Sequence, residues 1–324
     1  MAERRQSTLW PYVQIMRVDH WFKNAFMLLG VLLAFFYDPQ LLTAQTLEIL
    51  VWAFFTTCII ASSNYVLNEW LDAPLDRLHP TKCERPAARG LISTPGAIIE
   101  WLSLGALGVS MAFMIGPAFG YSGLALWVMG CIYNIPPVRS KDVPYIDVIS
   151  ESVNNPIRLL LGWYALVDHL WPPLSLVIAY WMVGAFFMAT KRFAEYRHIG
   201  DPVRAAKYRK SFAHYTEERL VGSMVFYLSA CALFSGVFIV RYKLELILCA
   251  PVVAGFFAYY VILGMREDSP VQNPEKLYKQ RGFFAYALFT TALFVITMFL
   301  EFPALYEWFN YEPSSFEPLW KIGI

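Results

Sequence analysis

The sequence predicts an all-α integral membrane protein, a bundle of about nine transmembrane helices. Of its 324 residues, 57% are hydrophobic and only 16% are charged, which is too little polar surface for a soluble protein of this length. Apolar stretches of about 20 residues, the length that a helix needs to span a bilayer, recur along the whole chain. The predicted spans cover residues 21–37, 47–67, 97–115, 119–135, 146–166, 172–190, 221–240, 244–264 and 283–302.

The cations predict how these spans are oriented. Of the 26 Lys and Arg residues, 22 lie before or at the very start of the first span and in the loops after spans two, four, six and eight. Because cytoplasmic loops are enriched in Lys and Arg, we expect an inner (cytoplasmic) membrane protein with a cytoplasmic amino terminus and active-site loops. The cations alternate with acids, unlike the basic stripe that binds nucleic acid. Residues 303–324, with Trp and Tyr among acids, are predicted to form an interfacial tail.

The first polar cluster, NEWLDAPLDRLHPTKCERP, follows the second span directly. On a helical wheel, Asn68, Asp72 and Asp76 follow one another by about 40°, although Pro74 leaves open whether Asp76 belongs to the helix or to a loop. Hard oxygen ligands at this spacing suit Mg²⁺, usually completed by substrate phosphate oxygens. Candidates to bind the phosphates directly are the cations that follow: Arg77, Lys82 and Arg85. The alternative is that these charges merely end a helix at the membrane interface.

The second polar cluster lies in the fifth span, KDVPYIDVISESVNNPIRLLLGW. Five polar residues are predicted within an arc of about 100° of one continuous helix: Asp147, Glu151, Asn154, Asn155 and Arg158. Ionisable groups inside a spanning helix are functional candidates because they are costly in lipid. The alternative is a structural ion pair between Arg158 and one of the two acids. The preceding loop, YNIPPVRSK, adds Tyr133 and Lys141 as candidate substrate-binding residues.

The third cluster, KRFAEYRHIGD, follows the sixth span. Lys191, Arg192 and Glu195 lie within about one helical turn at the predicted membrane border. Asp201, between a glycine and a proline, is predicted to cap a helix. All three clusters are on the predicted cytoplasmic side, so we expect them to converge on one site with acids for a metal and cations for phosphate.

The motif N-x-x-x-D-x-x-x-D after the second span, followed by a loop containing R-P, resembles the first aspartate motif of the UbiA-type intramembrane prenyltransferase superfamily. The second aspartate motif of the prenyl-transferring members is replaced here by KRFAEYRHIGD. The chain therefore looks more similar to one branch, the decaprenyl-phosphate phosphoribosyltransferases. The residues that match this branch are His79 to Lys82 with Arg85 and Pro86; Lys141, Pro144, Asp147 and Arg158; and Lys191, Arg192 and Glu195. Glu69 and Cys83 depart from the pattern of the branch, which often has Asp and Arg at these positions.

The resemblance implies a single UbiA-like catalytic domain over residues 1–302. It also implies an Mg²⁺-dependent transfer of 5-phosphoribose from phosphoribosyl pyrophosphate to a polyprenyl (decaprenyl-like) phosphate, with release of pyrophosphate. The expected catalytic residues are Asp72, Asp76, Lys191 and Arg192, and the expected metal ligands are Asn68, Asp72 and Asp76. The expected substrate-binding residues are Asn68, Arg77, Lys82, Arg85, Tyr133, Lys141, Asp147, Arg158 and Glu195.

Two other functions are compatible with part of the pattern. A conventional prenyltransferase would move a prenyl group from its diphosphate to an aromatic or lipid acceptor, and would need a second aspartate pair after the sixth span. A transporter of a phosphorylated solute would also need intramembrane Arg and Asp, but it would show paired broken helices near the middle of the bilayer. The gathering of the charges on one side favours an enzyme over a transporter.

The charge asymmetry makes a prediction about topology. Reporter fusions after Lys82 and after Arg209 are expected to report a cytoplasmic location, and a fusion after Ile324 an extracytoplasmic one. Paired alkaline phosphatase and fluorescent protein fusions at each position measure this. A carboxyl terminus in the cytoplasm would contradict the count of nine spans.

Overall fold

The computed structural model describes residues 9–77, 82–272 and 274–309. Over these residues the chain is helical and contains no strand, so the predicted all-α fold is confirmed. The α-helices are α1 (Trp10–Ile15), α2 (Leu28–Tyr37), α3 (Ala44–Asp76), α4 (Thr94–Ile115), α5 (Pro117–Asn134), α6 (Ile146–Ser152), α7 (Asn154–Tyr164), α8 (Leu174–Ile199), α9 (Pro202–Tyr208), α10 (Glu217–Tyr242), α11 (Ala250–Gly264), α12 (Arg281–Phe299) and α13 (Pro303–Trp308). Short 3₁₀ segments precede α2 (Val18–Met27) and α11 (Leu244–Cys249).

Each of the nine predicted spans has a helical counterpart in the described part of the chain. Seven stretches there are long and apolar enough to cross a membrane: Trp10–Tyr37, Ala44–Asp76, Thr94–Ile115, Leu174–Ile199, Glu217–Tyr242, Leu244–Gly264 and Arg281–Phe299. The other two predicted spans correspond to α5 and to α6 with α7. Large apolar side chains such as Leu288, Phe289 and Ile296 are exposed on α12, as expected for a lipid-facing helix. The chain is a multi-pass membrane protein.

The fifth span is not the continuous helix that the sequence predicts. α6 ends at Ser152 and α7 begins at Asn154. Pro156 has no N–H to donate to the carbonyl of Ser152, so the i→i−4 ladder is interrupted at this point. The prediction of one polar face along a single helix is therefore wrong. The polar residues are divided between two helices, with Asp147 and Glu151 in α6 and with Asn154, Asn155 and Arg158 in α7.

The chain forms two compact units. The first unit comprises Met1–Ala34, Gln40–Lys141 and Asn154–Leu170; the second comprises Phe35–Pro39, Asp142–Val153 and Trp171–Ile324. The single catalytic domain over residues 1–302 stays a prediction.

The first unit is built on α3, which packs against α4 and α5. Small residues allow these helices to approach closely, as is common in membrane proteins. At Gly108 a Cβ atom would lie only 2.6 Å from Cγ1 of Ile60. The Asn64 side chain, midway along α3, donates to the carbonyl of Leu126 at 2.9 Å. Close packing and one interhelical hydrogen bond therefore fix α3 against its neighbours.

The second unit is built on α8 and α10. Its core is aromatic: Phe186, Phe212 and Tyr260 are all buried, and the Phe186 and Phe257 rings meet edge to face at 5.2 Å. Aromatic pairs in this geometry contribute about 0.5–1.5 kcal/mol beyond the area that they bury. This packing gives the second unit a hydrophobic core of its own.

Only the beginning of the predicted interfacial tail lies within the described residues, as α13. A buried carboxylate, Glu245, holds it: one oxygen accepts the Phe302 N–H and the other accepts the Tyr306 hydroxyl, both at 3.2 Å. Lys243 lies 3.7 Å from Glu245 and balances its charge. Residues 310–324 of the predicted tail are outside the described residues.

Two glycines bring α2 and α7 into backbone contact within the first unit. A Cβ atom at Gly162 would overlap the carbonyl oxygen of Met27 and would lie 3.0 Å from the Val31 nitrogen. A Cβ atom at Gly30 would overlap the Leu159 carbonyl oxygen. Because the neighbouring atoms belong to backbone, they cannot move aside as a flexible side chain would. Both positions therefore require glycine if the helices are to keep this distance.

We expect Gly162→Ala to destabilise the protein by about 1–3 kcal/mol, the usual effect of overpacking a close contact. Thermal unfolding in detergent measures the change. Gly236→Ala, in α10, is the matched control because nothing lies within 4 Å of a Cβ atom there. The control should unfold at or above the wild-type temperature, since alanine is the better helix former. Equal unfolding temperatures for the two variants would contradict the proposed backbone contact.

Candidate functional site

The first polar cluster forms one column on α3. The helix continues through Pro74 and ends where the Arg77 N–H bonds to the carbonyl of Ala73 at 3.2 Å. The residues of the column therefore lie at positions i, i+4 and i+8 of one helix: Asn68, Asp72 and Asp76. They extend over about 12 Å along its axis. The possibility that Asp76 belongs to a loop is thereby excluded.

Asp72 is paired with two cations from the segment that follows α5. The Lys141 Nζ donates to Oδ1 of Asp72 at 2.6 Å, and the Arg139 Nη2 donates to the same oxygen at 2.8 Å. Lys141 is buried, and Asp72 is 20% exposed at its side chain. The predicted substrate-binding residue Lys141 and the predicted metal ligand Asp72 therefore lie together.

Asn134 connects these cations to the rest of the column. Its Oδ1 accepts from Nδ2 of Asn68 at 2.6 Å and from Nζ of Lys141 at 2.8 Å. Its backbone carbonyl accepts from Nη1 of Arg139 at 3.2 Å. The ring of Tyr133 faces the Lys141 ammonium at 5.8 Å, within the range of a cation–π contact. The end of α5 thus holds both cations independently of Asp72.

Asp76 has a separate partner. Its buried carboxylate accepts from Nη1 of Arg85 at 2.6 Å. Arg77 donates through Nε to the Ala88 carbonyl at 3.0 Å, so it braces the loop in which Arg85 lies. Lys82 lies at the start of a short 3₁₀ turn in the same loop. Residues 78–81 of the motif, including His79, are outside the described residues.

The column fits a divalent cation by the chemistry of its donors. It offers two carboxylates and an amide oxygen, which are the hard ligands that Mg²⁺ prefers. Among the described residues, no group of three or more His, Cys, Asp or Glu side chains could hold a metal ion on its own. A metal on Asn68, Asp72 and Asp76 would therefore need further ligands from water or substrate oxygens.

Arg158 makes its described contacts with a different group of residues, inside the first unit. Its Nε donates to Oδ1 of Asn24 at 2.9 Å, and its Nη1 donates to the Asn154 carbonyl at 3.1 Å. The Nδ2 of Asn24 in turn donates to Sγ of Cys58 at 3.2 Å. Both acceptors of Arg158 are uncharged, and the residue is buried. Neither of these two contacts compensates the positive charge of Arg158 with a carboxylate, so the residue is suited to bind an anion.

Asp147 is the centre of a polar cluster in the second unit. It is 0% exposed. Its Oδ1 accepts the Tyr215 hydroxyl at 2.7 Å, and its Oδ2 accepts the Ser211 hydroxyl at 3.2 Å and Nε of Arg192 at 3.3 Å. Arg209 lies 3.4 Å from the same oxygen. One buried carboxylate thus joins α6, α8 and the segment before α10.

Tyr215 fixes the start of α6 as well. Its oxygen accepts the backbone N–H of Tyr145 at 2.6 Å, and Tyr145 has a φ of 63°, a left-handed conformation that is unfavourable for a non-glycine residue. Burial, together with the neighbouring Asp147 carboxylate, raises the pKa of the Tyr215 hydroxyl far above its ordinary value. Tyr215 therefore stays protonated and remains a donor to Asp147.

The third cluster is divided between buried and exposed residues. Arg192 is buried and donates through Nη1 to Glu195 at 3.0 Å. Lys191 lies 3.9 Å from Glu195, and its side chain is 27% exposed. Asp201 caps α9, accepting the N–H groups of Val203 and Arg204 at 2.8 and 3.3 Å, as predicted. Of the two cations that pair with Glu195, Lys191 is thus the more accessible to a substrate.

Several partners of the predicted residues were not singled out by the sequence: Asn24, Asn134, Arg139, Arg209, Ser211 and Tyr215. One of them, Asn134, carried a usable signal, because an Asn at the end of an apolar helix and before a basic loop suggests a buried hydrogen bond. The others lie far along the chain from the residues that they contact, so helical spacing could not pair them.

Comparison with known proteins identifies the family of the chain. Residues 24–288 match the UbiA prenyltransferase family. A decaprenyl-phosphate phosphoribosyltransferase of Corynebacterium glutamicum is 30% identical over 63% of this chain and 59% of its own length. The enzyme of the same name from Mycolicibacterium smegmatis is 29% identical over 72% of this chain and 73% of its own.

The fold is also similar to a solved structure, a UbiA homolog from Archaeoglobus fulgidus bound to GPP and Mg²⁺. Its TM-score is 0.66 at 19% identity, and the match covers 90% of this chain and 100% of that one. Because the two sequences are only 19% identical, this similarity establishes the fold alone. The chain therefore belongs to the UbiA prenyltransferase family, on the branch of the decaprenyl-phosphate phosphoribosyltransferases.

Proposed function

We propose that this protein transfers 5-phosphoribose from phosphoribosyl pyrophosphate to a polyprenyl phosphate, in a reaction that uses Mg²⁺ and releases pyrophosphate. Members of its family are enzymes, and two relatives bear the name of this activity. We place the reaction at the cytoplasmic face of the inner membrane, because the predicted active-site loops carry most of the cations.

The observation that carries the proposal is the commitment of both acids in the third cluster. A transferase that uses prenyl diphosphate would need them as a second metal motif. Glu195 is instead paired with Arg192, and Asp201 is occupied with the amino terminus of α9. Cations predominate where that motif would require free carboxylates, which favours a donor with several phosphate groups over a prenyl diphosphate.

The first unit supplies groups for the diphosphate of the donor. Lys141 and Arg139 are anchored on the end of α5 and can donate to phosphate oxygens, as can Arg85. Asn68, Asp72 and Asp76 would hold the metal. When bound, Mg²⁺ would stabilise the negative charge that develops on the leaving pyrophosphate.

The remaining requirements of the reaction are modest. As the bond between ribose C1 and the pyrophosphate oxygen breaks, the ribose becomes electron-poor, and an oxygen of the polyprenyl phosphate forms the new bond to C1. That oxygen is already anionic, so no strong general base is required. Catalysis then rests on positioning and on fixed positive charge. Arg158, a buried cation with uncharged partners, is suited to hold a substrate phosphate.

The donor is tested with purified protein, labelled phosphoribosyl pyrophosphate, decaprenyl phosphate and Mg²⁺, by following label into the lipid fraction. We expect Lys191→Ala to raise the KM for phosphoribosyl pyrophosphate about tenfold, as for a lost charged hydrogen bond to phosphate. Lys210→Ala is the matched control, since this lysine lies on the same stretch of chain, is 72% exposed and pairs with Asp142. Asp201→Ala should leave the KM unchanged, although it removes a helix cap.

Transfer of a prenyl group would contradict the proposed phosphoribosyl transfer. If the protein moves a labelled prenyl group from its diphosphate to an acceptor, and Asp201 is required for that, it is a conventional prenyltransferase. Failure of every donor to label a lipid would instead revive the transporter hypothesis.

We expect Arg158→Lys to lower kcat/KM at least tenfold, because an ammonium cannot keep both hydrogen bonds of the guanidinium and still reach a phosphate. Steady-state kinetics measure this, and the unfolding temperature of the variant should stay near that of the wild type. Arg266→Lys, at an exposed arginine, serves as the control. An unchanged kcat/KM would mean that Arg158 has only a structural role.

A further inference from the structure

The short helix α9, in the second unit, has an exposed face that is both basic and apolar. On a helical wheel, this face covers an arc of about 140° and consists of Val203, Arg204, Lys207 and Tyr208. All four residues are exposed, Val203 by 65% and Tyr208 by 41%. Neither Arg204 nor Lys207 forms an ion pair within the described part of the chain. The outer face of α9 therefore carries two uncompensated positive charges beside apolar surface.

The inner face of α9 is attached to the ends of two membrane-spanning helices. Ala205 is fully buried and belongs to the same hydrophobic core as Phe193 of α8 and Leu220 of α10. α8 and α10 have 26 residues each, which corresponds to a length of about 39 Å. The hydrocarbon core of a bilayer is about 30 Å thick, and the bilayer with its headgroups about 40–45 Å. The helix ends that hold α9 therefore lie at the level of the lipid headgroups.

The carboxylates of the same loop do not neutralise this face. Asp201 accepts the N–H groups of Val203 and Arg204 and thus serves the amino terminus of α9. Glu217 and Glu218 lie in the first turn of α10, where acids complement the helix dipole. α9 itself contains two cations and no acid. An anion that approaches its outer face would therefore meet positive charge alone on this helix.

We propose that the outer face of α9 binds the headgroups of anionic phospholipids in the membrane that the protein spans. Arg204 and Lys207 donate to the headgroup phosphates, and Val203 and the Tyr208 ring lie at the boundary with the acyl chains. A zwitterionic lipid would satisfy the apolar side chains but would leave the two positive charges without a counterion. This inference does not depend on the proposed function, because no substrate takes part in it.

Bound lipid would also steady the segment that follows α9. The Tyr208 ring lies 6.1 Å from the ring of Phe212, which is buried in the core of the second unit. The same segment supplies Ser211 and Tyr215 to the Asp147 carboxylate. A lipid that holds α9 against the ends of α8 and α10 therefore also limits the motion of residues 209–215.

The first test is hydrogen–deuterium exchange of the full-length protein in nanodiscs, measured by mass spectrometry. One preparation contains phosphatidylcholine alone, and the other contains phosphatidylcholine and phosphatidylglycerol in equal parts. We expect the backbone N–H groups of residues 203–208 to exchange at least about threefold more slowly with phosphatidylglycerol, because a bound ligand stabilises the folded helix. High salt should remove most of this difference, because it screens exposed charges.

Lys207→Gln and Lys210→Gln are a matched pair of variants. Both lysines are exposed and lie in the same loop, but Lys210 already pairs with Asp142 at 3.1 Å. The Kd of phosphatidylglycerol is measured for each variant in detergent by native mass spectrometry. We expect Lys207→Gln to raise this Kd about fivefold, as for the loss of one basic residue near an anionic surface, and Lys210→Gln to leave it unchanged. The exchange measurement on the wild type stands by itself if a variant fails to fold.

Equal exchange of α9 in the two lipid mixtures would overturn the inference, and so would equal Kd values for the two lysine variants. Inorganic phosphate, added to the nanodiscs of phosphatidylcholine alone, tests the other source of the same chemistry. If phosphate slows the exchange as much as phosphatidylglycerol does, α9 binds free phosphate and the inference is wrong. Slower exchange with phosphatidylglycerol only, lost in Lys207→Gln and kept in Lys210→Gln, supports a lipid-binding face.

Discussion

A carboxylate at the end of a long apolar helix requires a partner, and the pairing of Asp72 with Lys141 and Arg139 meets this requirement. The segment that follows α5 must return to α3 for the pairing to form, and Asn134 holds it there through hydrogen bonds to both sides. The pairing and the hydrogen bonds of Asn134 together position Lys141 and Arg139. Breaking such a pair by removing one partner would be expensive, because an uncompensated charge would remain partly buried.

The second unit obeys the same constraint with a different acid. Asp147 is fully buried, and its partners come from α8 and from the segment that leads into α10. We propose that this carboxylate acts on substrates indirectly, by keeping Arg192 and Arg209 in place, while the more exposed Lys191 is left for direct contact. In both units a carboxylate holds cations in place: Asp72 holds Arg139 and Lys141, and Asp147 holds Arg192 and Arg209.

Cations that are held in place by carboxylates suit a reaction between anionic substrates. In the reaction that we propose, phosphoribosyl pyrophosphate and a polyprenyl phosphate would bring the phosphate groups and the nucleophile, so the protein would mainly need fixed positive charge. The cations that surround Asp72, Asp76 and Asp147 fit that need. Arg158, whose two acceptors are uncharged, adds a buried positive charge among the helices of the first unit.

Much of the fold could be predicted from the sequence, because hydrophobic length and helical spacing are local properties. The nine spans, the polar column of α3 and the cap at Asp201 all follow from residues close together in the chain. The interruption at Val153 was missed, although Pro156 carried the signal, because the polar pattern ran smoothly across it.

What the sequence by itself determined was therefore which polar residues are candidates for the chemistry. Only the tertiary structure decided which of them are paired: Asp72 with Lys141, Arg158 with Asn24, Asp147 with Tyr215. These partners are separated by tens of residues or more, and no local periodicity relates them. The pairing is decided in the folded protein. Packing of the apolar helices buries these polar groups, and each must then form hydrogen bonds with whichever donors or acceptors lie nearby, because it has lost its contacts with water.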